Sequence, residues 1–342
     1  ASGAATGDIL EVVAYTTFDT ANVTASSGFT VTGNVSVDGG TIKLDGNYPV
    51  GTGNVALGDN ALVDSSLSGG YNTAIGQEAL NSNTSGSVNT AIGNGALYLN
   101  TTGASNISVG SNSLADNTTG GSNVAVGRDA LGNNTTASAN TAVGYQAGYS
   151  NTTGTENTFI GGAAGDAITT SNANTALGYL SLSAETSSNG NTAIGAEALK
   201  NQNVGGSGDA RNTAVGLLAG ANVSTGIQNT LIGALAGDAI TTASNNTAVG
   251  YQSLSANTTG TANTAIGRNS LQANTTADDN TASGMYSLYT NTTGASNTAH
   301  GRSALFSNTT GSSNVSVGAQ ALENNTTASG NVAIGDNALR AY

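Results

Sequence analysis

The chain repeats a short phrase, Asn-Thr-Ala-Ile-Gly and close variants, along most of its length. Seventeen copies run from Asn54 to Asn331, spaced by 17 residues except for 18 after Asn54 and 21 after Asn191. The consensus unit is N-[T/V]-A-[I/V]-G-x-x-[A/S]-L-x-x-N-T-T-[G/A]-x-x, and residues are placed below by their position, 1 to 17, in this unit. So short a period, repeated so often, predicts stacked structural units rather than a conventional globular core.

The residue pattern within one unit predicts β structure. Positions 2 to 4 alternate, so that Thr73 and Ile75 share one face of a strand and Ala74 lies on the other. A second short strand is expected near Ala79 and Leu80, with the leucine inward. Gly76 and the Asn-rich segment after it are typical of turns, and a glycine in every unit disfavours a helical repeat. The sequence therefore predicts an all-β parallel β-solenoid, or β-roll, with one coil per unit.

Stacking gives the polar positions a role. Equivalent residues in successive coils are expected about 4.8 Å apart, close enough for each position-1 asparagine to donate its side-chain amide to the next. The alternative is that these asparagines only adopt turn conformations. The predicted structural residues of the first ladder and its glycine corner are Asn72, Asn89, Asn106, Asn123, Asn140, Gly76, Gly93 and Gly110. A second ladder at position 12 is predicted for Asn100, Asn117, Asn134 and Asn151.

Composition excludes several classes of function. The 342 residues include 20 Asp and Glu against 7 Lys and Arg, no Cys, and only 8% charged residues. An acidic chain with scattered cations is not expected to bind nucleic acid, and no apolar run is long enough to insert in a membrane as a helix. The absence of cysteine excludes disulfides and thiolate metal sites. No cofactor is predicted.

At the repeated phrase the sequence resembles the head domains of trimeric autotransporter adhesins, which carry Asn-Ser-Val-Ala-Ile-Gly repeats on a left-handed parallel β-roll. The match is best at residues 72–76 and 331–335, and it covers residues 54–340, although the 17-residue unit is longer than the usual adhesin coil. The resemblance implies a homotrimer with the β-branched residues inside each roll. It also implies an alanine column next to the neighbouring chain, comprising Ala74, Ala91, Ala125, Ala142 and Ala193.

The leading segment resembles the fibre proteins of tailed bacteriophages, both in residues 7–18 and in the strictly alternating residues 29–44. We therefore expect an N-terminal β-rich segment over residues 1–50 and a solenoid shaft over residues 51–342. The predicted function is a non-enzymatic tail-fibre shaft in the virion that contacts other tail proteins and projects a tip toward a host glycan or protein. The alternative is the head of a trimeric surface adhesin, or an extracellular filament, on a bacterial cell.

Catalytic residues are not expected. The carboxylates fall singly in turns, as do Glu78, Asp116 and Glu185, whereas glycoside hydrolysis needs a pair in a cleft. His300, the only histidine, replaces the aliphatic residue at position 4. It is expected to pack inside the roll with a hydrogen bond to Ser283, one coil earlier. The alternative places position 4 on the threefold axis, where three copies of His300 bind a metal ion or an anion.

Two further features concern recognition. Tyr145, Tyr179 and Tyr251 share position 6 and could contact a glycan, although shielding of the corner is the simpler interpretation. An insertion over residues 202–209 could carry a binding loop or mark a tolerated irregularity. Ice binding is a third, disfavoured class of function, because the position-2 threonines are expected to face inward.

Overall fold

The computed structural model describes residues 51–64, 66–206 and 208–341, and the predicted N-terminal segment, residues 1–50, lies outside them. Within these ranges the chain is all-β, without helices, and each coil has one three-residue strand at positions 2 to 4. In chain order the strands are β1 Val55–Leu57, β2 Thr73–Ile75, β3 Thr90–Ile92, β4 Ile107–Val109, β5 Val124–Val126, β6 Thr141–Val143, β7 Thr158–Ile160, β8 Thr175–Leu177, β9 Thr192–Ile194, β10 Thr213–Val215, β11 Thr230–Ile232, β12 Thr247–Val249, β13 Thr264–Ile266, β14 Thr281–Ser283, β15 Thr298–His300, β16 Val315–Val317 and β17 Val332–Ile334.

Each strand pairs in parallel and in register with the strands of the coils before and after it. Thr73 lies opposite Thr90, and the same alignment of equivalent positions continues to β17. The four-residue insertion leaves the register intact, since Thr192 still lies opposite Thr213. The described residues therefore form a β-solenoid with a single sheet along one side of its coils, and the insertion is accommodated outside that sheet.

The predicted second strand near Ala79 and Leu80 is wrong. Residues 77–82 form turns, and Glu78 and Leu80 have φ angles of 60° and 51°. These left-handed conformations are incompatible with an extended strand. Leu80 does point inward, as predicted, and it is fully buried.

The glycine at position 5 is required for two reasons. Gly76 has a φ of 131°, which lies outside the conformations open to other residues, and a Cβ built on it would lie 2.5 Å from the carbonyl oxygen of Gly93. Gly93 stands in the same relation to Gly110. Successive coils thus approach each other too closely at this corner for any side chain.

The predicted side-chain direction in the strands is also wrong. The alanine column of position 3 is fully buried inside the roll, whereas positions 2 and 4, such as Thr73 and Ile75, point outward and are half-buried or exposed. The interior is thin: position 3 shares it with the small residue of position 8 and the leucine of position 9. Because little width remains, alanine fits at position 3 and a β-branched residue does not.

Phe159 shows how tightly this interior is filled. It occupies position 3 in β7, where most coils have alanine, and it is fully buried. Two coils have glycine in place of the position-9 leucine beside it. A Cβ on Gly148 would lie 2.8 Å from Cε2 of Phe159, and one on Gly165 would lie 2.5 Å from Cε1. The aromatic ring therefore takes the volume that two leucines occupy elsewhere.

Candidate functional site

The position-1 asparagines form a hydrogen-bonded ladder inside the solenoid. The backbone N–H of Asn89 donates to Oδ1 of Asn72 at 2.9 Å, and its side-chain amide donates to the same oxygen at 3.2 Å. That amide also donates across the coil to the carbonyl of Gly103 at 2.9 Å. The backbone-to-Oδ1 bond recurs at every step from Asn54 to Asn331, including the step across the insertion. Each asparagine thus ties its coil to the previous coil and to its own opposite turn.

The position-12 ladder is present but interrupted. Asn117 donates to Oδ1 of Asn100 at 2.7 Å and receives a bond from Asn134 at 2.8 Å. At Asn151 the ladder stops, because the next coil has Ile168 at this position, and Oδ1 of Asn151 is buried without a hydrogen-bond partner. The ladder resumes between Asn257 and Asn274, at 3.0 Å.

A buried carboxylate stands in the gap of this ladder. Glu185 was expected in an isolated turn, but it is fully buried at position 12. Its Oε1 accepts the consecutive backbone N–H groups of residues 186–188 at 2.8–2.9 Å, and its Oε2 accepts the amide of Gln202 at 3.1 Å. Gln202 in turn accepts from Asn212 at 2.9 Å. Four donors satisfy the carboxylate, so its role in the fold is structural.

The outward residues of positions 2 and 4 form what we call the outer face. Position 4 gives a nearly continuous aliphatic row, with Ile92, Ile160 and Ile232 each exposed. Position 2 gives a parallel row, which is mostly threonine, so the expectation that these threonines face inward is wrong. The threonines of this row are Thr73, Thr90, Thr141, Thr158, Thr175, Thr192, Thr213, Thr230, Thr247, Thr264, Thr281 and Thr298.

His300 lies on the outer face and is exposed, so the expectation that it packs inside the roll is wrong. Ser283 lies opposite it in the strand register, but their side chains make no hydrogen bond to each other. Outward placement is what the threefold-axis alternative requires. Within one chain, the described residues contain no cluster of three or more His, Cys, Asp or Glu side chains able to hold a metal ion.

The three tyrosines of position 6 are exposed but do not form one site. Tyr145 and Tyr179 are two coils apart, and Tyr251 lies four coils beyond Tyr179. The guanidinium of Arg128 lies 4.9 Å from the centre of the Tyr145 ring and donates to its hydroxyl at 3.2 Å. Tyr145 therefore packs on the neighbouring coil, which agrees with the shielding interpretation.

Two carboxyl groups have pKa values that partial burial raises. Asp166 and Asp238 occupy position 10 in equivalent coils, and burial raises the pKa of each above its ordinary value. Backbone hydrogen bonds lower these pKa values in part, but Oδ1 of each side chain is buried without a partner. Ionisation therefore costs the folded state free energy at both positions.

Two side-chain clusters were not predicted from the sequence, and both involve position 10. Tyr289 and Phe306 stack with ring centres 5.1 Å apart, and Tyr286 packs against Tyr289 edge-on at 5.4 Å. The other cluster is a groove beside Tyr149. Reading the position-10 residues of successive coils in order could have predicted both clusters, because these residues lie next to one another once the coils stack.

Together these features define the chain as a β-solenoid repeat protein. No family model matches the sequence, and no curated protein matches it either. In the described part of the chain, no helix has the length and hydropathy needed to cross a bilayer.

Proposed function

We propose that the chain is the shaft of a phage tail fibre, a non-enzymatic structural element that associates as a homotrimer and holds a receptor-binding tip away from the virion. The support is the outer face: an apolar row that continues from coil to coil on a rigidly stacked sheet. Soluble monomers rarely expose a long apolar stripe unless it contacts a partner.

The dimensions of the outer face suit self-association. Sixteen steps separate β1 from β17, which at about 4.8 Å per coil gives a length of roughly 77 Å. Strands of three residues are about 10 Å wide, so the face covers roughly 770 Å², near the about 800 Å² that each partner contributes to a standard interface. A second copy presents the same repeat length, so its rows can align with these along the whole face.

Stacking along the solenoid axis supports a mechanical role. Each coil is joined to the next by in-register backbone bonds in the sheet and by the position-1 asparagine ladder. Every described coil between β1 and β17 therefore has a neighbouring coil on each side.

Charges placed on the outer face test the proposal. Replacing Ile92, Ile160 and Ile232 together by lysine should dissociate the assembly, because three like charges per chain would be buried in the interface. The control carries lysine at Thr102, Thr170 and Thr242, exposed position-14 residues of the same three coils. Sedimentation equilibrium of the whole chain should give a trimer for the native protein and the control, and a monomer for the isoleucine variant. A monodisperse native monomer would contradict the proposal.

The head of a trimeric surface adhesin remains the alternative, because it needs the same fold and the same self-association. Immunogold labelling with antibodies against residues 51–342 separates the two. Label along virion tails supports the fibre shaft. Label on bacterial envelopes supports the adhesin.

The outward threonines favour ice binding as a second candidate function. Their regular spacing on an in-register parallel sheet offers hydroxyl groups next to an aliphatic row, an arrangement suited to holding an ordered water layer. Self-association would cover this face, so the two functions exclude each other. Thermal hysteresis together with a monomeric mass would support ice binding, and a trimer without hysteresis would reject it.

A further inference from the structure

A groove of about 260 Å³ opens on the side of the solenoid, outside the strands. Ala115, Gly132 and Tyr149, all from position 10 of successive coils, are among the residues that line it. Its volume lies just below the range of about 300–1,000 Å³ typical of sites for drug-sized molecules. A ligand that fits is therefore about the size of one six-membered sugar ring.

The position-10 column creates this groove. In four successive coils the column reads Tyr98, Ala115, Gly132 and Tyr149, so two small residues lie between two tyrosines. Elsewhere in the column no two successive coils have alanine or glycine. The Tyr149 ring lies directly beside Gly132, where a Cβ would be 3.1 Å from Cε2. The ring thus offers apolar surface at the end of a recess that longer side chains would fill.

The walls of the groove are polar. Asn112 and Asp129 line it from position 7, and Asp116 and Asn133 line it from position 11. The amide Nδ2 of Asn112 lies 3.5 Å from Oδ1 of Asp129. The Asp116 carboxylate makes no hydrogen bond to any residue in the described ranges, so it is available to accept from a ligand.

These groups select the chemistry of the ligand. Carboxylates accept hydrogen bonds, carboxamides donate and accept them, and an aromatic ring packs against C–H groups. Two carboxylates line the groove and no Lys or Arg does, which disfavours an anionic ligand. Arg128, the nearby cation, is paired with Asp129 at 3.0 Å and donates to Tyr145. A calcium ion needs six to eight oxygen ligands, but one of the two carboxylates is already paired with that arginine. We propose that the groove binds one neutral pyranose unit of a saccharide.

The proposal does not depend on the fibre function, and saturation-transfer NMR on the whole chain tests it. The probes are glucose, galactose, mannose and N-acetylglucosamine, with glucuronate for comparison. Calcium chloride is titrated separately by isothermal titration calorimetry, because Ca²⁺ has no protons to receive saturation. At least one neutral sugar should receive saturation transfer. Replacing Tyr149 by alanine should weaken its affinity by about tenfold, since the aromatic contact is lost.

A steric block provides the matched control. Ala115→Tyr should abolish binding by filling the groove, whereas Ser183→Tyr places the same side chain at position 10 in a distant coil and should leave binding intact. Tyrosine already occurs at this position in Tyr98 and Tyr149, so both variants are expected to fold. If the circular dichroism of Ala115→Tyr differs from that of the native chain, Asp116→Ala replaces it and should also weaken binding.

Three results would overturn the proposal. They are the absence of transfer to every neutral sugar, glucuronate binding as tightly as the neutral sugars, and a response to calcium alone. Retention of sugar binding in a folded Ala115→Tyr variant would place the sugar outside this groove and reject the site.

Discussion

The coils of residues 72–156 and those of residues 157–245 share one strand register but fill their interiors differently. In the first region, position 12 is asparagine in every coil and forms a polar ladder. In the second region it is replaced in every coil, by Ile168, Glu185, Gln202, Val223 and Ile240. The position-1 ladder and the position-5 glycine continue through both regions. The comparison shows which parts of the coil set the stacking and which only fill space.

In the second region, a large side chain at position 3 is matched by glycines at position 9 of its own coil and of the coil before it. Leu231 at position 3 is flanked by glycines at position 9, in the same way as Phe159. A Cβ on Gly220 would lie 2.7 Å from Cδ1 of Leu231, and one on Gly237 would lie 2.8 Å from Cδ2. Each large residue at position 3 thus depends on small residues in two coils. A consensus sequence cannot express this dependence, because it averages over coils.

The largest effect is expected for Phe159→Ala, although alanine is the consensus residue at position 3. Both adjacent position-9 residues are glycine, so removal of the ring leaves a cavity and should lower the free energy of unfolding by about 3–5 kcal/mol. Urea unfolding followed by circular dichroism measures the change. Adding Gly165→Leu should recover part of the loss, since Leu131 holds the equivalent left-handed conformation. A loss below about 1 kcal/mol would show that the volume compensation is unimportant.

A smaller effect is expected for breaking the position-12 ladder inside the first region. Asn117→Ala removes the donor to Oδ1 of Asn100 and the acceptor of one N–H of Asn134, whose amide keeps only its bond to the Ala137 carbonyl. The loss should cost about 2–4 kcal/mol. Asn151→Ala serves as the comparison, because Oδ1 of Asn151 has no partner to lose. The loss in free energy of unfolding caused by Asn151→Ala should be clearly smaller in the same experiment. Equal costs for both variants would mean that the ladder does not act as a connected network.

Next in size is a pH-dependent effect confined to the second region. Since the folded pKa of Asp166 and Asp238 is raised, the folded state binds protons more tightly than the unfolded state, and stability falls as pH rises through the raised values. The double change to asparagine should therefore raise the melting temperature at pH 7. At about pH 3, below the ordinary aspartate pKa, the gain should disappear.

The control for this effect is Asp64→Asn, at the start of the solenoid. Hydrogen bonds from the side chain and backbone of Ser66 lower the pKa of Asp64, so its ionised form is favoured in the folded state. Its replacement should leave the protein no more stable at pH 7. A gain in both variants that does not change with pH would exclude ionisation as the cause.

The smallest effect is expected for His300→Ile, on the outer face that both regions share. In a monomeric variant the exposed side chain should change stability by less than about 0.5 kcal/mol. In the proposed trimer the change extends the apolar row, which then has Ser283 as its remaining gap, and should raise the melting temperature. A lower melting temperature for the variant, matched by the fall that a chelator causes in the native protein, would instead indicate three histidines around a metal ion.

Periodicity predicted the stacking well because it depends on residues that repeat. A 17-residue period, a glycine at position 5 and an asparagine at position 1 are visible in every complete unit, and each has one dominant physical use. The position-1 ladder follows from parallel stacking alone, since identical residues then lie one above another. The inward leucine of position 9 follows in the same way from its apolar side chain.

The alternation of residues in each strand was visible in the sequence, but which face of the strand is buried was not. Thr73 and Ile75 on one face and Ala74 on the other satisfy the pattern whichever face is buried. The width of the coil decided the outcome: the left-handed turns at Glu78 and Leu80 fold the leucine under the sheet, and beside a leucine only a small residue fits at position 3.

The sequence by itself thus determined the repeat, the parallel stacking and the residues that hold successive coils together, because these depend on equivalent positions one period apart. Tertiary structure decided which strand face is buried, where Glu185 finds its four donors and how Ala115 and Gly132 open a groove beside Tyr149. These features depend on the width of the coil and on contacts between different positions of neighbouring coils. Such contacts can be predicted only once the path of the chain around one coil is known.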